Sequence, residues 1–318
     1  MNFKRLFCLS VLSLFILDPF NKVFACEGCS ICRLGRESGL QSSGNPDKKW
    51  YSEFLFEQQK WHTRSAQEAN SLVNEGHDSH DKTTENFYHL AIGNHVNKNF
   101  NVSMEVPYVV RNSLEVEDPD RLGAKESSQG LGDLSLTGDY GFLKENNKCL
   151  SFIGGVKFPT GQAGIKNSVG EKFEPELQPG TGSYDYTTGL VYKQALKRMD
   201  FLWNAVYVFR TQGAQEFTFG NSFSTAMSAF YFLNPKNTAF RTQIGLNANL
   251  QIIKKQITNG TKVEDSGGTT LFLGPELSVE TNKEVSFFCA VLAPVDQHLG
   301  GVHQRLDFAW NMGGKIVW

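Results

Sequence analysis

The sequence is poor in proline and lacks any apolar run long enough to cross a bilayer as a helix, including the run near its start. Only 10 prolines occur among 318 residues, against 30 glycines and 25 phenylalanines. A membrane-spanning helix needs about 20 consecutive apolar residues, so a helical membrane bundle is excluded. The mean hydropathy of −0.32 is still compatible with a β-barrel, whose inward-facing residues dilute the apolar average.

Excess charge and catalytic motifs are also missing. The formal net charge is −2, which gives no indication of a nucleic-acid partner. Nucleotide-binding motifs are absent, and lipid hydrolysis would need a serine beside a histidine on the lipid-facing side. His89 and His95 are predicted to face inward, and His77 with Ser79 lies in a predicted loop. The sequence therefore predicts a protein that is not an enzyme.

The first 25 residues have the organisation of a secretory signal peptide. Lys4 and Arg5 precede an apolar run at residues 6–17, and residues 23–25 fit the small-residue cleavage rule at their first and last positions. A secreted chain that crosses a membrane with strands is expected in a bacterial outer membrane. There, closure of a barrel satisfies every backbone hydrogen-bonding group that lipid cannot.

The stretch from Arg305 to Trp318 alternates with period two, which indicates a strand with one apolar and one polar face. A transmembrane strand needs about 9–11 residues, roughly twice the length of an ordinary strand. The terminal Trp318 resembles the C-terminal signal recognised by the outer-membrane assembly machinery, which is therefore an expected partner together with the lipid bilayer. The apolar face comprises Leu306, Phe308, Trp310, Met312, Gly314, Ile316 and Trp318, and the other face comprises Asp307, Ala309, Asn311, Gly313 and Lys315.

Eleven similar stretches precede this one, and their connections alternate between short polar turns and mostly longer loops. Five short turns and six longer loops place both termini on the short-turn side, which is periplasmic in outer-membrane barrels. We predict an all-β fold: an antiparallel transmembrane β-barrel of twelve strands over residues 50–318, after a cysteine-rich periplasmic segment at residues 26–49. The strands are predicted at 50–62, 84–96, 99–111, 130–143, 148–159, 183–195, 199–210, 217–233, 238–253, 268–281, 284–294 and 305–318.

Charged residues of both signs share the parity that faces away from lipid. A wet, charged interior is what a solute path requires, and its charges set selectivity. The alternative is an internal salt-bridge network that fills a structural barrel, although twelve strands enclose more space than the eight that side chains can fill. The residues predicted to line the path are Glu105, Arg111, Asp133, Asp139, Lys157, Asp185, Lys193, Arg241 and Glu276.

The mature chain would begin with three evenly spaced cysteines, Cys26, Cys29 and Cys32. Thiolates at Cys-x2-Cys-x2-Cys spacing can bind a metal, whereas an oxidising periplasm favours a disulfide. With Cys149 and Cys289 the mature chain has five cysteines. This odd number leaves one cysteine free, metal-bound or, if it is Cys26, lipid-modified.

A second set of metal-type ligands lies in the first long loop. His77 and His80 stand beside Glu75, Asp78 and Asp81, and imidazole with carboxylate suits Zn²⁺ or Cu²⁺. The alternative is a polar flexible loop. Apart from these two sets, the sequence indicates no cofactor.

Three blocks in the middle of the chain carry a family resemblance. They are Gly130-Leu131-Gly132-Asp133, Gly155-Val156-Lys157-Phe158-Pro159-Thr160-Gly161 and Leu177-Gln178-Pro179-Gly180-Thr181-Gly182-Ser183. Their order and spacing resemble the outer-membrane transporter family associated with the meta-pathway of phenol degradation, and the cysteine-rich start resembles one branch of it. The resemblance implies a barrel that passes a small solute, with an aromatic or hydrophobic molecule as the expectation, and no catalytic residue.

The function expected from these features is passive passage of a small solute through the barrel. The alternative is a metal- or redox-linked binding protein that acts through the Cys-x2-Cys-x2-Cys segment. The turn chemistry of residues 178–182 would bring the long third loop back to the barrel wall. That loop then either folds into the mouth and narrows it or lies outside in solvent.

Overall fold

A computed structural model describes residues 49–63, 67, 80–115, 124–145, 147–234, 240–281, 284–300 and 305–318. The predicted signal peptide and nearly all of the cysteine-rich segment lie outside these residues. Two 3-10 turns, Pro175–Leu177 and Ala214–Glu216, accompany the strands. The strands are β1 Trp50–Trp61, β2 His80–His95, β3 Phe100–Glu115, β4 Ala124–Leu131, β5 Leu134–Glu145, β6 Lys148–Phe158, β7 Asp185–Ala195, β8 Met199–Phe209, β9 Phe217–Thr218, β10 Ser222–Phe232, β11 Phe240–Ile253, β12 Ile257–Thr258, β13 Thr261–Lys262, β14 Gly268–Thr281, β15 Val285–Leu299 and β16 Leu306–Val317.

The strands form one closed antiparallel ring. Its order is β2-β1-β16-β15-β14-β11-β10-β8-β7-β6-β5-β3, and pairing of β3 with β2 closes it. β4 and β5 are two pieces of one wall strand, because both pair with β3 and only Gly132 and Asp133 separate them. The wall therefore has twelve strands, which confirms the predicted barrel.

The ring closes where the first and last strands meet. β1 pairs with β16 from Tyr51↔Val317 to Trp61↔Leu306. Trp50 and Trp318 exchange two backbone hydrogen bonds, of 3.1 and 2.8 Å, and their rings stack at 6.1 Å. The two ends of the wall thus lie side by side at the end of the barrel that carries the short turns.

Alternation along each strand puts polar side chains inside the ring and apolar ones outside. On β11, Leu246 is 62% exposed whereas its neighbour Asn247 is 6% exposed, and on β1 Phe54 and Glu53 show the same contrast. The outer face can bury its apolar side chains only against a membrane, since period two sends every second residue outward. The part of the chain that the structure describes contains no helix with the length and apolarity to cross a membrane.

Two details of the predicted faces are wrong. A register irregularity between Lys60 and Trp61 turns Leu306 inward to 4% exposure, while Asp307 faces outward. Leu306 packs inside with Trp61, Phe272, Leu292 and Ala309. A β-bulge of this kind shifts the side-chain parity by one residue, and period-two reasoning assumes that no bulge occurs.

At the long-loop end the wall carries extensions that the prediction did not contain. β2 begins at His80 and β3 continues to Glu115, several residues beyond their predicted limits. The predicted strand 217–233 divides, because Phe217–Thr218 leaves the wall and joins β12 and β13 in a small separate sheet. Over the described residues, the connections at the long-loop end therefore contain regular strand structure beyond the wall itself.

Candidate functional site

Asp133 is the centre of a latch that fastens the loop between β6 and β7, residues 159–184, to the wall. It stands in the gap between β4 and β5 and is 5% exposed. Its two carboxylate oxygens accept hydrogen bonds from the backbone N–H groups of Gly161 and Thr181, both at 2.9 Å. The Thr181 hydroxyl donates a third, at 2.6 Å. One carboxylate therefore holds both ends of the loop.

Lys157 completes the latch from the end of β6. Its Nζ lies 3.1 Å from Asp133 and 2.7 Å from Asp185 at the start of β7. Ser183 donates a hydrogen bond of 2.9 Å to Asp185. A buried carboxylate is costly unless it is paired and hydrogen-bonded, and both carboxylates here meet those conditions.

Three glycines, Gly132 on the wall and Gly161 and Gly180 in the loop, let the loop backbone lie directly against the wall. A Cβ on Gly161 would stand 2.6 Å from the carbonyl carbon of Gly132, and one on Gly180 would stand 2.5 Å from that of Gly161. Real Cβ atoms do not approach a backbone so closely, so each position requires glycine. The three sequence blocks that carry the family resemblance thus meet at one point of the structure.

The middle of the loop is anchored to β3 and β4 by buried polar contacts. Arg111 donates a hydrogen bond of 2.7 Å to the carbonyl oxygen of Gln178 and one of 2.6 Å to the carboxylate of Glu85. All three residues are less than 5% exposed. Ser128 on β4 donates to the carbonyl oxygen of Leu177. Gln178 in turn binds the backbone of Ile165 and Phe173 with its side-chain amide, which folds the loop on itself.

Glu176, at the tip of the loop, reaches the far side of the ring. It accepts a hydrogen bond of 2.5 Å from Gln256, which lies in the connection between β11 and β14. It is also close enough to Arg111 and Glu85 for their charges to act on it. The loop thus contacts β3 through Arg111 and, through Glu176, the connection that follows β11, and β3 and β11 are six strands apart in a ring of twelve. We call residues 159–184 the crossbar.

The electrostatics of the crossbar tip depend on burial. Loss of solvent around the carboxyl raises the pKa of Glu176, while the hydrogen bond from Gln256 and the charge of Arg111 lower it by less. A neutral carboxyl at this position can still bond to Gln256. The tip therefore combines a fixed cation on the wall with an acid whose charge depends on pH.

The structure brings together some of the predicted path residues and separates the others. Arg111, Asp133, Lys157 and Asp185 belong to the latch and its anchor, and all carry the inward parity. Lys193, Arg241 and Glu276 lie toward the opposite, short-turn end, where Arg241 pairs with Glu280 at 3.2 Å. Glu105 bonds to His89 at 2.5 Å, and Asp139 is 8% exposed on β5. That these nine residues line a solute path stays a prediction.

Sequence reasoning missed the residues that carry the crossbar. Glu85 follows the same parity as His89 and falls within the predicted strand 84–96, but it was not among the residues predicted to line the path. Gln178 was seen only as part of a turn, and nothing in the sequence paired Glu176 with Gln256, since 80 residues separate them. Such contacts between loops follow from tertiary packing and leave no periodic pattern in the sequence.

The predicted metal sites fall mostly outside the described residues. Cys26, Cys29, Cys32 and His77 are not described, and neither is the side chain of His80. Cys149 and Cys289 are free thiols. Among the described residues, no three His, Cys, Asp or Glu side chains converge as a metal site would require.

The closed wall and its two-faced strands define the class of outer-membrane β-barrels, and solved structures match it. An outer membrane channel from Pseudomonas putida F1 superimposes with a TM-score of 0.63 at 16% identity, covering 86% of this chain and 97% of that one. The β domain of the Bordetella autotransporter BrkA gives a TM-score of 0.50 at 9% identity, covering 86% and 100%. At such identities the likeness establishes the fold. No protein-family profile and no curated protein matches the sequence.

Proposed function

We propose that this chain is an outer-membrane channel for the passive passage of a small solute, with both termini in the periplasm. The observation that carries the proposal is the crossbar, whose two chain ends are latched to one side of the wall at Asp133 and whose tip contacts the connection after β11 on the other side. A loop fixed in this way narrows an aqueous path and sets the size of what passes. A purely structural barrel has no need of a loop ordered across its interior.

Further support comes from the inner face and from the fold. Inward-facing charged groups of both signs are spread over several wall strands, among them Glu53 on β1, Arg111 on β3 and Lys157 on β6, which suits a hydrated path. The solved structure with a TM-score of 0.63 is that of an outer membrane channel. The concentration gradient would supply the driving force, since the sequence carries no nucleotide-binding motif. The family resemblance adds an aromatic or hydrophobic molecule as the proposed solute.

The test is conductance of the refolded mature protein in a planar bilayer. We expect discrete current steps of reproducible size. The parent should also exclude smaller solutes than a variant lacking residues 163–177, a deletion that removes the middle of the crossbar but keeps the latch residues. Folded barrels change their gel migration on heating. If the parent and the deletion variant both show this change but neither passes ions or solutes, the proposal is contradicted.

A second, separate proposal concerns the Cys-x2-Cys-x2-Cys segment, whose spacing favours metal binding or a disulfide. Metal analysis of protein with and without residues 26–32 tests it, together with a thiol count. Metal or a disulfide lost on truncation would support this proposal. Free thiols and no metal in the intact protein would overturn it. Conductance that survives truncation would show that the segment is accessory to passage.

A further inference from the structure

A cavity lies at the short-turn end of the barrel, far from the crossbar. Its volume is about 970 Å³ including the part open to solvent, and its walls come from β1, β7, β8, β10, β11 and β14–β16. This end has no long loop folded over it within the described residues. The cavity is therefore a separate compartment that a solute would meet on the way in or out.

Aromatic rings lie flat on the wall of this cavity, each opposite a glycine. Phe230 on β10 pairs with Gly245 on β11, and a Cβ at Gly245 would stand 2.5 Å from its ring. Phe288 on β15 covers Gly313 on β16 in the same manner, at 2.8 Å. A glycine opposite an aromatic residue leaves room for the ring to lie against the backbone. The rings thus contribute apolar surface to the cavity wall while lying against the backbone of the neighbouring strand.

The charge around these rings is predominantly negative. Two ammonium groups, Lys193 and Lys315, stand among the lining residues. Lys315 lies 3.8 Å from the centre of the Tyr51 ring, and the charge of Asp200 acts on Lys193. The carboxylates that line the cavity are Glu53, Asp200, Glu276, Glu280 and Glu284. Glu280 is paired with Arg241, and the five carboxylates still outnumber the three cations, Lys193, Lys315 and Arg241.

We infer that this cavity is a binding site for organic cations, meaning an ammonium group on an apolar or aromatic body. An excess of carboxylates beside low-dielectric walls favours a positive ligand and disfavours an anion. The faces of Phe230 and Phe288 attract a cation through their quadrupoles and also accept its apolar part. The inference deepens the proposed channel, because occupancy of this site would be one step of passage.

The test measures block of single-channel current by benzyltrimethylammonium added to either side. We expect concentration-dependent block from the short-turn side, weaker block by tetramethylammonium, which lacks the ring, and no block by benzoate. Glu276→Gln should raise the half-blocking concentration about tenfold, equivalent to roughly 1.4 kcal/mol. Gly245→Ala should weaken the block by pushing the Phe230 ring into the cavity. Glu145→Gln, an exposed carboxylate at the same end, is the matched control.

Two results would overturn the site while leaving the channel intact: equal block by benzoate, or block that neither Glu276→Gln nor Gly245→Ala changes. If the protein conducts no current, the site can be tested alone by calorimetry, which measures binding of benzyltrimethylammonium to the refolded barrel in micelles. Binding that Glu276→Gln weakens would then support the site although the channel fails. Absence of binding would overturn the site as well.

Discussion

At the scale of single residues, Arg111 has the most constrained environment in the crossbar anchor. Its guanidinium binds Glu85 through Nε and the Gln178 carbonyl through a terminal nitrogen, and it lies 5.6 Å from the centre of the Phe87 ring. A planar fork of donors suits this task better than an ammonium group would. One side chain therefore ties a wall strand to its neighbour and to the loop.

Replacing Arg111 with methionine should destabilise the barrel by about 3–5 kcal/mol, since Glu85 is left buried without its cation. The lost free energy of unfolding can be measured by urea unfolding in lipid vesicles, with gel migration as the readout of the folded fraction. Arg111→Met with Glu85→Gln should recover part of it. Arg198→Gln, at an exposed position that bonds to Tyr231, is the control and should cost below about 1 kcal/mol. Equal losses at the two arginines would contradict the assignment.

The acid at the crossbar tip predicts a dependence on pH. Because burial raises the pKa of Glu176 above its ordinary value of 4.5, the folded loop binds a proton more tightly than the unfolded chain does. Its contribution to holding the loop is fully present below pH 4.5 and is lost as pH rises through the raised pKa. Arg111, Glu85 and Gln256 are the groups that face it.

Hydrogen exchange of residues 159–184, corrected for the intrinsic rate at each pH, would measure this effect. Protection of the loop should fall with rising pH in the parent and stay level in Glu176→Gln. The amides of β10, which touch none of these groups, supply an internal reference. A variant that keeps the same pH dependence as the parent would show that another group is responsible.

At the scale of elements, the crossbar depends on the packing of backbone against backbone at three glycines. Gly180→Ala should push the loop off the wall, because the new methyl would meet Gly161 at 2.5 Å. We expect higher conductance with the wall strands unchanged, as judged by circular dichroism. Gly164→Ala lies in the same loop and meets nothing within 4 Å, so it is the matched control. An unchanged conductance in Gly180→Ala would refute the role of this contact.

Sequence periodicity predicts the wall well because each strand repeats one physical choice, water or lipid, every two residues. Glu53, Asn247 and Glu276 fall where parity places them for this reason. Tyr51 shares the parity of Glu53 and is fully buried inside, although an aromatic ring near a strand end is typical of a membrane interface. Parity outweighed residue type there. Asp133 shows what periodicity cannot predict. Alternation gives the face of the wall on which it lies, but only the folded loop supplies its hydrogen-bond partners Gly161 and Thr181.

At the scale of the whole molecule, the two ends of the barrel differ in construction. The long-loop end carries the crossbar and a three-stranded sheet of β9, β12 and β13, whereas the short-turn end holds the seam of Trp50 and Trp318. A solute would therefore meet a narrow, polar entrance on one side and an aromatic compartment on the other. The barrel is expected to respond differently to the same compound added from its two sides.

The proposed orientation predicts which residues a membrane-impermeant maleimide reaches in intact cells. Lys262→Cys, on exposed β13, should be labelled, whereas Lys197→Cys, in the short turn after β7, should react only after the outer membrane is opened. The parent protein, with its five native cysteines in the predicted mature chain, supplies the background. Labelling of Lys197→Cys but not of Lys262→Cys in intact cells would show that the barrel has the opposite orientation.

The seam between β1 and β16 also determines the order in which the chain can fold. Ser52 and Trp318, which share a hydrogen bond, are 266 residues apart in the chain. Until the last strand arrives, β1 presents a free edge of unpaired backbone groups that could pair with another chain. Closure is thus a contact of very high sequence separation, and such contacts form slowly because loop-closure entropy opposes them. Formation of this single seam should limit the rate at which the nascent protein becomes resistant to proteases.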